Sequence, residues 1–140
     1  MILRDSKGEE FELSIAGYEF PHSHENWLLM DVRMKGPKGE RRKRDPCMTV
    51  EEAGELAEWL DELARVDSEG GIGPGMPNLT EPNLQILVLK AGLSEIRLRV
   101  EFIFESKDTP PVFDHVEFEI QRTDLERAVS DFRRELEKYR

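Results

Sequence analysis

His22-Ser23-His24-Glu25 puts two imidazoles and a carboxylate within four residues, and zinc accepts both ligand types. A zinc site takes three or four protein ligands, and spacing supplies no more than these. His115 would have to come in across the fold. A polar loop is the better reading of this cluster. Cys47 could act as a nucleophile with a base beside it. It stands just ahead of a helical stretch, where a helix N-terminus lowers a thiol pKa, yet no sequence pattern puts a histidine there. A small buried apolar group is the expected role of such a cysteine.

Gly70-Gly71-Ile72-Gly73-Pro74-Gly75 has the glycines of a phosphate loop. A working one follows a strand, opens a helix and often brings a Lys-Ser/Thr pair. This run follows a helix and opens none, so it reads as linker. Arg41-Arg42-Lys43-Arg44, joined by Arg33, Lys35 and Lys38 across a hairpin, could hold phosphate or an acidic patch. In so acidic a chain, a hairpin that balances the nearby acidic helix is the better reading. Strand alternation also turns only half of such a run to any one side. There is no Gly-x-Ser-x-Gly and no His-Glu-x-x-His. Thirty carboxylates in 140 residues make close acid pairs inevitable, so a pair is no sign of catalysis. The expectation is a non-enzyme with no metal and no cofactor.

One stretch, residues 45–66, stands out. Thr49 suits a helix N-cap, and Glu52, three residues on, completes a capping box. Val50, Ala53, Leu56, Ala57, Leu60, Leu63 and Ala64 recur at helical spacing and make one face apolar. Glu51, Glu55, Glu58 and Glu62 fall at i, i+4, i+7 and i+11 on the opposite face, flanked by Asp61 and Glu52. Arg65 is the one base in the helix. Like charges so spaced cost a helix a few tenths of a kcal/mol per pair, roughly. A solvated face is the plain explanation, since surface charge mostly serves solubility. The sharper one is a contact surface for a basic protein, carried by Glu51, Glu55, Glu58, Asp61 and Glu62.

The rest of the chain must position that helix. At 140 residues, one domain spanning 1–140 is expected, long enough to bury a real core. A composition of 38% hydrophobic residues, in regular patterns, argues against a disordered acidic chain. A formal net charge of -10 argues against a nucleic-acid partner, because phosphate demands cationic surface. The single cysteine excludes an internal disulfide and fits a reducing compartment. No window approaches the roughly 20 apolar residues of a membrane span, and no signal-peptide run opens the chain. A soluble, cytoplasmic protein is expected.

Alternation predicts strands at 2–4, 10–15, 26–35, 40–44, 84–89, 94–105 and 112–120. The fourth should stop or lie at an edge at Pro46. In the fifth, Leu87 and Leu89 make the second face apolar too, which predicts cover on both sides. A second helix should start at Thr123, boxed by Glu126, with Leu125, Ala128, Val129, Phe132, Leu136 and Tyr139 as its apolar stripe. Residues 67–77, rich in glycine and proline, read as a flexible linker between two similar halves. The predicted class is α+β: antiparallel sheet or sheets of seven or eight strands with two amphipathic helices packed on one face, strands then helix, twice.

Gly17-Tyr18-Glu19-Phe20-Pro21, Asn26-Trp27-Leu28, Asp45-Pro46-Cys47-Met48-Thr49 with a following helix containing Trp59-Leu60, and Glu81-Pro82-Asn83-Leu84 occur in that order over nearly the full chain. In these motifs the sequence resembles the WapI-type immunity proteins, small bacterial cytoplasmic proteins associated with polymorphic toxin systems. The resemblance implies binding and neutralising the C-terminal toxic domain of a contact-dependent toxin, often a nuclease that attacks RNA. It transfers no contact residues to this chain. The acidic helix then reads as a mimic of nucleic acid that occludes a basic toxin surface. The competing expectation is a non-catalytic scaffold or regulatory binding module with another partner.

Overall fold

A computed structural model describes residues 1–20, 26–65, 75–105 and 112–140. The chain runs β1 (Ile2–Arg4), β2 (Glu10–Tyr18), β3 (Trp27–Gly36), β4 (Gly39–Thr49), α1 (Val50–Arg65), β5 (Leu84–Ala91), β6 (Glu95–Phe102), β7 (Asp114–Gln121) and α2 (Arg122–Leu136), with a last 3-10 turn at Glu137–Tyr139. The strands form two antiparallel sheets, ordered β1-β2-β3-β4 and β5-β6-β7. The fold is α+β, and strands then helix occur twice, as the sequence predicts. His22, His24 and Glu25 lie outside the described residues, as does the predicted linker up to residue 74.

Period-two patterning builds both sheets. Phe11 and Leu13 of β2 stand opposite Met34 and Val32 of β3, and all four are buried. Leu98 and Val100 of β6 face Phe118 and Val116 of β7 in the same way. A one-residue slip would turn every one of these to solvent, so the apolar set fixes the register. The sheets meet where β3 ends. A Cβ on Gly36 would lie 3.0 Å from Val116 Cγ1, so this glycine permits the close approach. One buried cluster draws on both sheets and both helices, with Leu56, Leu60 and Leu63 of α1 and Leu125, Val129 and Phe132 of α2 inside it.

Pro46 lies within β4, and β4 is an edge strand. The register shifts there, between Leu28 and Met30 on the partner. An edge bulge is where a residue without an N–H does least harm to a ladder. β6 ends at Phe102, short of the predicted residue 105. Ile103 and Phe104 are both buried, so alternation has failed there. Phe104 turns instead to meet Phe102 edge-on at 4.8 Å, with the Arg41 guanidinium over its ring.

Two local expectations are corrected. Leu87 and Leu89 of β5 are each 42% exposed, so the second face of β5 is open. β5 is an edge strand, and the helices pack elsewhere. The second helix starts at Arg122, and its N-cap Gln121 makes no side-chain capping bond. There is no Thr123–Glu126 box. The Arg122 amide donates to Ser94 O at 2.9 Å, which extends the β6–β7 ladder straight into the helix. The first box does form: the Glu52 amide donates to Thr49 Oγ1 and the Thr49 amide to Glu52 Oε2, each at 3.2 Å.

Helix α1 lies against α2 on one side. Arg133 of α2 reaches Asp61 at 3.2 Å, and Gly54 leaves room for the Arg140 guanidinium. Helix α2 is tied in turn to β2, where the Ile15 amide donates to Glu135 and the Tyr18 hydroxyl donates to Tyr139 O.

Candidate interaction surface

At 3.6 residues per turn, Glu51, Glu55, Glu58 and Glu62 fall within about 60° of arc on α1, and all four are exposed. Glu51 accepts a hydrogen bond from the Asn26 side chain at 2.9 Å, which fixes the first carboxylate of the row. Glu55, Glu58 and Glu62 make no ion pair among the described residues. Asp61 is set apart from this row. Its side chain is 14% exposed and held by Arg65 at 3.0 Å and Arg133 at 3.2 Å. It closes the α1–α2 seam at the margin of the acidic face.

Two elements orient the row. The capping box starts α1 directly from β4, so the first turn is anchored to the first sheet. Glu52 then does more than the sequence implies: its second carboxylate oxygen accepts from both the amide and the hydroxyl of Thr80. That ties the approach to β5 onto the first turn of α1.

The basic hairpin does not balance the acidic helix. Arg33 pairs with Glu10 at 2.7 Å and Glu12 at 2.8 Å. Arg41 takes Asp114 at 2.7 Å, Arg42 takes Glu40 at 2.7 Å, Lys43 takes Asp45 at 3.4 Å and Arg44 takes Asp31 at 2.7 Å. The hydrogen bonds from Arg33, Arg44 and Arg42 hold the Glu10, Asp31 and Glu40 carboxyls below their ordinary pKa. Carboxylates a few ångströms away, on the same strand, the neighbouring strand or the facing sheet, win over a helix on another layer. The row on α1 is therefore left with its charge uncompensated.

Cys47 is fully buried. Burial pushes its thiol pKa up to about 12, and the nearby Asp45 charge adds to the shift. At neutral pH it is a protonated, packed side chain, not a nucleophile. His115 is exposed on β7, opposite Glu101.

The described residues line two concavities of note. A cleft of about 730 Å³ lies between the β1–β2 and β3–β4 turns and β7. Some of its charged groups are engaged with one another, Arg41 with Asp114 at 2.7 Å and Arg97 with Glu117 at 3.5 Å. A groove of about 410 Å³ lies between α1 and β5, lined by Trp59, Met76, Leu79, Pro82, Leu84 and Leu87 among others. The exposed leucine of β5 was legible in the sequence, but alternation cannot tell an open apolar face from a covered one. Among the described residues, no helix is long and apolar enough to cross a membrane.

A family model described as the immunity protein WapI-like family matches residues 1–140, the whole chain. No curated protein and no solved structure matches it.

Proposed function

The chain belongs to the WapI-like immunity protein family, and from that membership we propose that it neutralises a cognate toxin domain in the cytoplasm by occluding a basic surface. The observation that carries this reading is the row Glu51, Glu55, Glu58 and Glu62: exposed, aligned and, among the described residues, without a cation for its last three members, where the strand arginines largely pair. Asp61, paired with Arg65 and Arg133 in the helix seam, is set aside from the contact. The partner that fits is a basic protein, and a nuclease is the natural candidate. A surface built to bind phosphates presents lysines and arginines at a spacing that carboxylates can answer. Complementary charge raises the encounter rate and orients docking. No catalytic step, metal or cofactor enters this account.

The test is capture. The tagged chain is used to recover its partner from the source cell, and the partner is then expressed alone and together with the chain. The expected result is a partner that arrests growth alone and is harmless when co-expressed. A captured partner that is harmless by itself would support a scaffold or regulatory module in place of immunity.

A further inference from the structure

The acidic row has an apolar neighbour. Trp59 lies about 40° around α1 from Glu55. Glu55 precedes it by one turn and Glu62 follows it by nearly one, and residues so spaced are surface neighbours. Asp61 and the α2 seam lie on the other side of the row. Beyond Trp59, on the side where Glu52 holds Thr80, the groove continues over Leu79 and Pro82 to Leu87 on the edge of β5. An apolar trough thus runs beside a line of uncompensated carboxylates. Apolar centres with polar, charged rims are the anatomy of protein–protein contacts, and a side chain buried in such a pocket carries much of the binding energy.

We propose that the α1–β5 groove receives an aromatic or long aliphatic anchor from the toxin domain, flanked there by lysine or arginine that meets Glu55, Glu58 and Glu62. This rests on the immunity reading and assigns that interface its anchoring site. The choice of occupant follows from charge: the rim is acidic on the α1 side, so a flanking segment with basic residues is accepted and an acidic one repelled. The division of labour is then physical. The row governs how fast the partners meet, and the groove governs how long they stay.

Leu87→Asn and Leu89→Asn separate these roles. Both leucines are equally exposed on β5, but only Leu87 lines the groove. Both changes leave net charge untouched and remove a similar amount of apolar surface from one edge strand, so a shared cost to the fold appears in both. Binding of the captured toxin domain is followed by surface plasmon resonance. Leu87→Asn is expected to raise the dissociation rate about tenfold or more with an unchanged, salt-dependent association rate, because the anchor loses an apolar wall. Leu89→Asn should behave as wild type. Gln85→Trp, which fills the groove from its own wall, should also shorten the lifetime of the complex. If wild type neutralises the toxin and Leu87→Asn dissociates no faster, the groove proposal fails and the immunity reading stands. If both leucine variants lose the same amount, the outer face of β5 and not the groove is the contact, and the proposal fails. If Leu87→Asn instead breaks a dimer of this chain, the occupant is a second copy, and the proposal fails. A wild-type chain that captures no toxic partner overturns both.

Discussion

Replacing Glu51, Glu55, Glu58 and Glu62 with lysine slows association with the toxin domain by about ten- to a thousandfold at low ionic strength. The deficit shrinks as salt is raised, because at 0.15 M the screening length is only about 8 Å. The physical basis is the contrast between α1 and the sheets. Arg33, Arg44 and Arg99 are bound to carboxylates of neighbouring strands at 2.7 to 3.1 Å, and such pairs cancel at a distance. Among the described residues Glu55, Glu58 and Glu62 have no such pairing, so their charge is left to act at a distance. A control with four lysines at Asp124, Glu126, Asp131 and Glu137, exposed on α2 and the turn after it, makes the same change in net charge. It should cost far less. Equal losses in both variants would mean that overall charge steers the encounter and that α1 has no special place in it.

Arg122→Met lowers stability by about 3 kcal/mol, read as a fall in the denaturation midpoint at unchanged slope. Arg122 is a buried arginine at the start of α2. Its Nη1 donates to Leu63 O in the last turn of α1, and its Nε donates to Gly92 O between β5 and β6 at 2.8 Å. A cation there meets the negative end of the α1 dipole. Methionine fills similar volume but takes this donor from the buried Leu63 carbonyl, at about 1–3 kcal/mol, and from the half-buried Gly92 carbonyl, at less. The estimate stays below the full sum because Arg122 Nη2 is itself buried without a hydrogen bond among the described residues, a penalty the methionine removes. Arg122→Lys should recover part of the loss, since a single ammonium cannot reproduce the fork of the guanidinium. A loss below about 1 kcal/mol would show that the arginine does not join α1, α2 and the second sheet as described.

The elements that could be read from the sequence are those set by one strong local pattern. β2, β3, β6 and β7 follow alternating apolar residues, and α1 follows its capping box and its three-to-four spacing. What escaped reading depends on neighbours that are remote in the chain. The Thr123–Glu126 pattern is a good helix start, yet the Arg122 amide is already satisfied by Ser94 and its guanidinium fixed on two other elements. Local propensity yields there to tertiary hydrogen bonds. Leu87 and Leu89 are apolar whether or not anything covers them, so the sequence could suggest a buried strand where the structure has an open edge. The cations of β4 looked like counterweights to α1 because both are conspicuous in the chain. Nearer carboxylates decided otherwise: Asp31 on the neighbouring strand, Glu40 on β4 itself and Asp114 on the second sheet. The acidic row itself was visible from spacing, and only the structure separates Asp61, drawn to Arg133, from the four glutamates that face outward.

Occlusion makes a claim that one competition measurement reaches directly. The proposed nuclease partner, in a catalytically inactive form, is loaded with a labelled RNA that it cannot cleave, and this protein is titrated in while the anisotropy of the RNA is followed. If the acidic face of α1 covers the surface that binds phosphate, the RNA is released in proportion to the protein added, and four lysines in the row abolish the release. A stable ternary complex, with RNA retained at saturating protein, would contradict occlusion and place the neutralising contact away from the substrate surface.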